Sequence, residues 1–322
     1  MKKRLLTLVL ALVLVLSLSI CFVACDNTQT GDVKIRISTT TSVNDSGLME
    51  YLTPYFEADN QGYKLEISSA GTGAAINSAK YGNADLILVH SKSQEDAFVA
   101  ENYARIVGNF AAERISFMYN YFVIVGPTTE PATEPQTDPA GVLNCEDASE
   151  AFAAIASSQS EFISRGDNSG THTKEVSLWP TELGITKDTD TLPSGVTSWY
   201  TSAGQGMGAC LTMANENNAY VLTDKATFLS YKNDPTGDKL PNLTLLMENS
   251  ANLQNTYSMI AVDNDAPFIS STTGEALPAG TVSINEAAAD IFINWMNGEH
   301  ASALINFYGT SSYGAPLFYL MG

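Results

Sequence analysis

The 322-residue chain predicts an α/β protein of two lobes, each a mostly parallel sheet flanked by helices, with a ligand cleft between them. Three observations lead there. The length accommodates two domains of ordinary size, and 44% apolar with 9% aromatic residues is enough to give each a core. Apolar runs of strand character alternate with segments of helical period, as in βαβ units. Three junctions from strand to helix are built of small hydroxyl-bearing residues, and ligands of open α/β sheets bind at the carboxyl ends of the strands.

The first 25 residues stand apart from the fold. Lys2-Lys3-Arg4 opens the chain, Leu5 to Ile20 is almost wholly apolar, and Val23-Ala24-Cys25 closes the segment. A basic start, an apolar core and a small residue before the cut describe an export signal over residues 1–24. The ending resembles the bacterial lipobox, in which Cys25 becomes the lipidated first residue, although Phe22 stands where Leu is usual. An uncleaved anchor is the alternative, because Leu5 to Val23 could just span a bilayer. Both place the rest of the chain outside the cytoplasm, held to a membrane through the tether 25–32.

Val33 to Ile37 alternates as a strand and runs into Ser38-Thr39-Thr40-Thr41-Ser42. A helix follows with Leu48, Tyr51, Leu52, Tyr55 and Phe56 on one face, which Pro54 should kink or cut short. The pattern repeats: strand Tyr63–Ile67, small-residue turn Ser68–Gly73, helix from about Ala74 to Tyr81. Asp85 to His90 is a continuous apolar run, as in a strand covered on both faces, and a helix from Gln94 to Glu101 comes next. Met118 to Gly126 is a long aromatic and β-branched strand. The insert 127–140 after it spaces its prolines four apart and should be extended and solvated.

A helix from Cys145 to about Ala156 leads to Phe162-Ile163-Ser164-Arg165-Gly166-Asp167-Asn168-Ser169-Gly170-Thr171, where a helix should open and run to Trp179. Gly204 to Gly208 starts another through Asn215, ahead of strand Ala219–Thr223. Strands at Leu243–Met247 and Tyr257–Val262 follow. Helices at Ala287–Met296, with Ile291, Phe292 and Trp295 inward, and at Ser302–Phe307 finish the chain. The expected lobes are 33–120 with 225–322, and 121–224.

The formal charge of −19 becomes −22 once Lys2, Lys3 and Arg4 leave with the signal, which argues against nucleic acid as a partner. It does not forbid a small anion in a shielded cleft, because surface charge is screened within about 10 Å. No CxxC or HExxH occurs, so direct metal ligands are not expected, and no cofactor either. Cys145 and Cys210 could pair in an exported protein, but their spacing says nothing about geometry. A hydrolase would need a base brought to Ser169 from His90 or His300, without the G-x-S-x-G pattern around it.

The anion reading rests on three loops. Thr40, Thr41 and Ser42 form the first, Thr72 and Gly73 belong to the second, and Arg165, Ser169, Gly170 and Thr171 to the third. Each follows a strand and opens a helix, where backbone N–H groups lack internal partners, and the third adds a guanidinium. Singly, each also fits plain helix capping.

Together they carry a resemblance. TTTSVNDSG at Thr39–Gly47, AGTGAAI at Ala70–Ile76, ADLILVH ending at His90 and MYNYFVIVGP up to Pro127 are similar to the tungstate-binding receptors of bacterial ABC uptake systems. So are SRGDNSGTHTKEVSLW at Ser164–Trp179, GQGMGA at Gly204–Ala209 and AYVLTD at Ala219–Asp224. That family is related to the molybdate and phosphate receptors. The resemblance implies a type II two-lobed periplasmic binding protein that closes on one oxyanion, is not an enzyme, works as a monomer and serves a membrane permease with its ATPase. By the same resemblance Arg165 binds the anion and Asp167 orients it. Where phosphate receptors carry an aspartate, this chain has His90, which either donates to the ligand or packs. Without that carboxylate a fully ionised dianion is expected, tungstate first and molybdate as the alternative.

Overall fold

Strand β3, Leu86–Val89, shows how the first lobe is built. All four of its residues are buried, Leu86 and Leu88 in one core and Ile87 and Val89 in another. That is the burial expected of a continuous apolar run. The computed structural model describes residues 31–128, 137–188, 190–248 and 250–321. The export signal, Cys25 and most of the tether lie outside the described residues. Among the described residues no helix is long and apolar enough to cross a membrane.

The other strands are β1 Val33–Thr40, β2 Tyr63–Ala70, β4 Ala104–Arg105, β5 Arg114–Gly126, β6 Phe162–Ser164, β7 Tyr200–Ser202, β8 Val221–Asp224, β9 Thr244–Met247, β10 Gln254–Val262 and β11 Tyr319–Leu320. The main sheet runs β11-β5-β10-β3-β1-β2. β1 and β3 are parallel, but β10 lies antiparallel to β3 and β5, and β11 antiparallel to β5. In the second lobe β8 and β9 are antiparallel to β5, while β6 and β7 are parallel. The sheets are therefore mixed rather than mostly parallel. The cause is β5, a strand of 13 residues that serves both lobes. Arg114 to Tyr121 pairs with β10, and Phe122 to Gly126 with β8 and β9.

Each lobe has core on both faces of its sheet. In the first, Ile35, Ile37, Leu52, Phe56 and Phe292 fill one face and Ile76, Phe98, Ile260 and Val262 the other. In the second, Phe122, Ile124, Phe152, Phe162 and Trp179 oppose Val123, Val125, Met207, Leu211 and Phe228. Leu240, Leu243, Leu246, Met247 and Leu253 also pack in the second lobe's cores, although 225–322 was expected in the first. β9 pairs with the far half of β5 before β10 returns to the first lobe, while Ala226 of the helix Lys225–Lys232 packs in the first lobe's core.

Several elements differ from their sequence expectations for local reasons. β1 continues to Thr40 and a short helix, Thr41–Asp45, starts at once, so the hydroxyl cluster straddles strand and helix. Pro54 sits inside an unbroken helix, Leu48–Asp59, whose inward face is Leu48, Met49, Leu52 and Phe56, with Tyr55 exposed. The helix after Ser169 spans only Gly170–Val176, and Trp179, just before Pro180, turns into the core against Phe152 and Phe162. Cys145 precedes the helix Ala148–Ser158, which Asp147 caps. In the helix Glu286–Met296, Phe292, Ile293 and Met296 are buried, while Ile291 and Trp295 are half-buried. The insert is not solvated at its ends: Asp138 is buried, accepts Val142 N and Leu143 N, and receives the Tyr220 hydroxyl at 2.6 Å. Cys145 and Cys210 are free thiols, and Cys210 is buried in the second lobe's core.

Candidate functional site

Arg165 follows β6, and its backbone is held by the segment after β7, with Ala203 N donating to Ser164 O and Gln205 N to Arg165 O. Gly166 makes the turn at φ +58°, close against Ser202, so that a Cβ there would collide with the Ser202 hydroxyl. The turn directs the Arg165 side chain across to the other lobe, where it is only 1% exposed. Nη2 donates to Thr41 Oγ1 at 2.8 Å, and Nη1 to Ser42 Oγ at 3.3 Å. Nη2 also meets Asp167 Oδ2 at 2.5 Å. Asp167 Oδ1 accepts Ser169 N at 3.1 Å, so one carboxylate fixes both the guanidinium and the start of the helix Gly170–Val176.

The second loop meets this helix directly. Gly170 N donates to Thr72 Oγ1 at 3.0 Å across the lobes. A Cβ on Gly71 would lie 3.0 Å from Asp167 Oδ2, and one on Gly170 would lie 2.7 Å from the His90 ring and 2.9 Å from His90 O. The two lobes therefore touch where small residues allow it. Thr40, Thr41, Ser42, Thr72, Arg165, Asp167, Ser169, Gly170, Thr171 and His90 are brought together. Gly73 lies at the edge of the same contact, where a Cβ would be 2.9 Å from the Asn168 amide and 3.3 Å from Gln94 Oε1.

Not every hydroxyl is free to bind. Thr40 Oγ1 caps its helix by accepting Val43 N, and Ser169 Oγ caps its own by accepting His172 N at 3.1 Å. Arg165 Nε and Thr171 Oγ1, by contrast, are buried and have no protein partner. An oxyanion with several acceptor oxygens satisfies donors of this kind.

His90 is neutral here, because burial, together with the nearby Arg165 cation, pushes its pKa down to about 3. Its Nδ1 lies 2.8 Å from Asn255 Oδ1, and Asn255 Nδ2 in turn reaches Asn120 Oδ1 and the Tyr257 hydroxyl. His172 is also held neutral by burial, and Asn168 N donates to its Nδ1, which puts the ring proton on Nε2. Among the described residues no imidazole nitrogen is hydrogen-bonded to Ser169 Oγ, and His300 is paired with Asp59 on the surface. No nucleophile–base pair is assembled there.

An open cavity of about 440 Å³ adjoins the site and shares His90 and Gly170 with it. Its cations are already engaged: Lys92 with Asp96, Arg114 with Glu95 and Ser116, and Lys174 with Asn252 O. The uncommitted donors belong instead to the Arg165 segment. Sequence reasoning missed Gln94, whose Nε2 donates to Asn168 O at 3.0 Å across the lobes, and the amides Asn120 and Asn255. No local pattern marks them, since each acts through a partner remote in sequence.

A profile of the PBP superfamily domain matches residues 26–299. TupA of Peptoclostridium acidaminophilum, a tungstate-binding protein, is 38% identical over 98% of both chains. The chain belongs to the tungstate-binding family of the PBP superfamily. Two solved structures agree. TupA from Desulfovibrio alaskensis G20 has a TM-score of 0.63 at 31% identity, covering 90% of this chain and 99% of its own. The tungstate ABC transporter protein from Geobacter sulfurreducens has a TM-score of 0.63 at 34% identity, covering 85% and 98%. A family of extracytoplasmic solute-binding proteins fits the mixed two-lobed fold.

Proposed function

We propose that the protein is the extracytoplasmic tungstate receptor of an ABC uptake system, and that it binds the dianion between Arg165 and the hydroxyl loops of the opposite lobe. The observation that carries this reading is the buried guanidinium bridging Asp167 of its own lobe and Thr41 and Ser42 of the other. Thr41, Ser42, Thr72, Arg165 and Thr171 supply the donors, Gly170 holds Thr72 through its N–H, and Asp167 orients the arginine. Because Arg165 and Asp167 are formally a neutral pair, the charge of a dianion falls to N–H and O–H dipoles directed at it. Closing the lobes removes water and strengthens every one of those contacts. In place of a carboxylate, neutral His90 offers only the lone pair of a weakly basic imidazole to a ligand proton, which favours a fully ionised anion over hydrogen phosphate.

The hinge in this account is formed by β5 near Tyr121–Phe122 and the entry to β10 at Leu253–Gln254. The lobes are then 33–121 with 254–322, and 122–253. Cleavage before Cys25 and lipidation of that residue anchor the protein at the membrane as a monomer, beside the permease that takes the closed form. Loss of membrane association in Cys25→Ala checks the anchor. Competitive calorimetry with tungstate, molybdate, sulfate and phosphate checks the ligand: tungstate should displace sulfate and phosphate, and equal affinity for sulfate would refute the assignment.

A further inference from the structure

One buried acid near the site has no role in the contacts described so far. Glu175 lies one turn beyond Thr171 in the helix Gly170–Val176 and is 2% exposed. Its carboxylate collects three donors: Ser164 Oγ at 2.5 Å, Trp179 Nε1 at 2.8 Å and the Tyr200 hydroxyl at 2.8 Å. None of the three is a cation. Ser164 Oγ, while donating to Glu175, accepts Gly166 N at 3.2 Å. That N–H belongs to the tight turn that aims Arg165 across the lobes. A chain of contacts thus runs from Glu175 through Ser164 to the arginine.

We propose that Glu175 is a positioning residue for Arg165, and that binding of the oxyanion is coupled to uptake of a proton by the Glu175 carboxylate. This rests on the tungstate-receptor reading. The titratable groups that face Glu175 are Tyr200 on β7, Asp167 on the loop before its own helix, and Cys210 on the helix Met207–Asn217. All are acids, and the nearby Arg165 guanidinium is already paired with Asp167, so no cation bonds the carboxylate directly. Burial pushes its pKa up to about 7 in spite of the three donors, and Asp167 pushes in the same direction. A dianion beside Arg165 adds negative charge on that side and raises the carboxylate's proton affinity further. By linkage the anion then binds more tightly as the pH falls through the Glu175 transition. Each pKa unit by which the bound anion raises Glu175 is worth about tenfold in affinity.

Calorimetry in pairs of buffers with different ionisation enthalpies, from pH 6.5 to 8.5, measures the protons taken up per tungstate bound. A rise of one unit gives uptake of about half a proton near neutral pH and an affinity about sixfold higher at the acid end of that range than at the alkaline end. In Glu175→Gln the uptake should vanish and the affinity should become flat with pH. Tyr200→Phe removes one donor to the carboxylate and should move the uptake to higher pH; it carries the test if Glu175→Gln is unfolded by circular dichroism. Tungstate binding without proton uptake in the wild-type protein overturns the coupling. Undiminished uptake in Glu175→Gln does the same. Absence of any tungstate binding removes the receptor reading itself, and this inference with it.

Discussion

Replacing Arg165 by alanine removes the side chain that three observations place at the centre of the site. It is 1% exposed, it bridges Thr41 and Ser42 of the opposite lobe, and it is paired with Asp167. Its charge is shielded from solvent, so the surface discount on ion pairs does not apply. Removing a buried charged hydrogen-bond partner costs about 2–3 kcal/mol at least, or about 30- to 150-fold in Kd. The loss should exceed that in Arg165→Lys, since an ammonium keeps the charge but cannot reach Thr41, Ser42 and Asp167 as a planar fork. Titration calorimetry of the ligand-free wild-type protein and both variants with tungstate measures the loss. Thermal melts run alongside separate lost binding from lost folding. A folded Arg165→Ala that binds tungstate within threefold of wild type would refute the placement of the site.

Other perturbations test the surroundings of the arginine. Gly170→Ala puts a methyl group 2.7 Å from the His90 ring and 2.9 Å from His90 O, so the lobes should be wedged apart and tungstate affinity should fall at least about tenfold. Small-angle scattering should then show no compaction on adding the anion. Gln94→Ala removes the donor to Asn168 O outside the pocket and should weaken closure by about 1 kcal/mol, seen in stopped flow as faster dissociation with association little changed. Glu175 and Asp224 both have pKa values raised by burial, to about 7 and about 6, so these two carboxyls hold more protons in the folded than in the unfolded chain between about pH 4 and 7, while His90 and His172, whose pKa values burial lowers, hold fewer. The Glu175 contribution to the stability of the ligand-free protein should therefore fall as pH rises towards about 7, so the Tm of Glu175→Gln should gain on that of the wild type as the pH is raised through that range.

The parts of the fold that were legible in the sequence are those set by local period. The run Asp85 to His90 announces a strand buried on both faces, because every residue in it is apolar or terminal, and β3 is such a strand. The hydroxyl loops could be found because a strand ending in Thr and Ser beside a helix start is a local pattern. Strand direction is not local. Leu243–Met247 and Tyr257–Val262 look alike in composition, yet β9 pairs with the second lobe's half of β5 and β10 with the first lobe's half. Hence the sheets came out mixed. The same limit hid Gln94, Asn255 and Glu175, whose partners lie far along the chain or depend on a turn that only the folded backbone makes. Arg165 was legible because its aspartate and its helix cap sit within a few residues of it.

The central claim is that tungstate sits between Arg165 and the hydroxyl loops of the opposite lobe. A crystal of the protein grown with tungstate and measured at a tungsten absorption edge tests it most directly. The account predicts one strong anomalous peak enclosed by Arg165, Thr41, Ser42, Thr72 and Thr171, with oxo groups at hydrogen-bond distance from Arg165 Nε and Thr171 Oγ1. A peak in the neighbouring cavity beside Arg114 and Lys174, with Arg165 still bound only to protein groups, would contradict it.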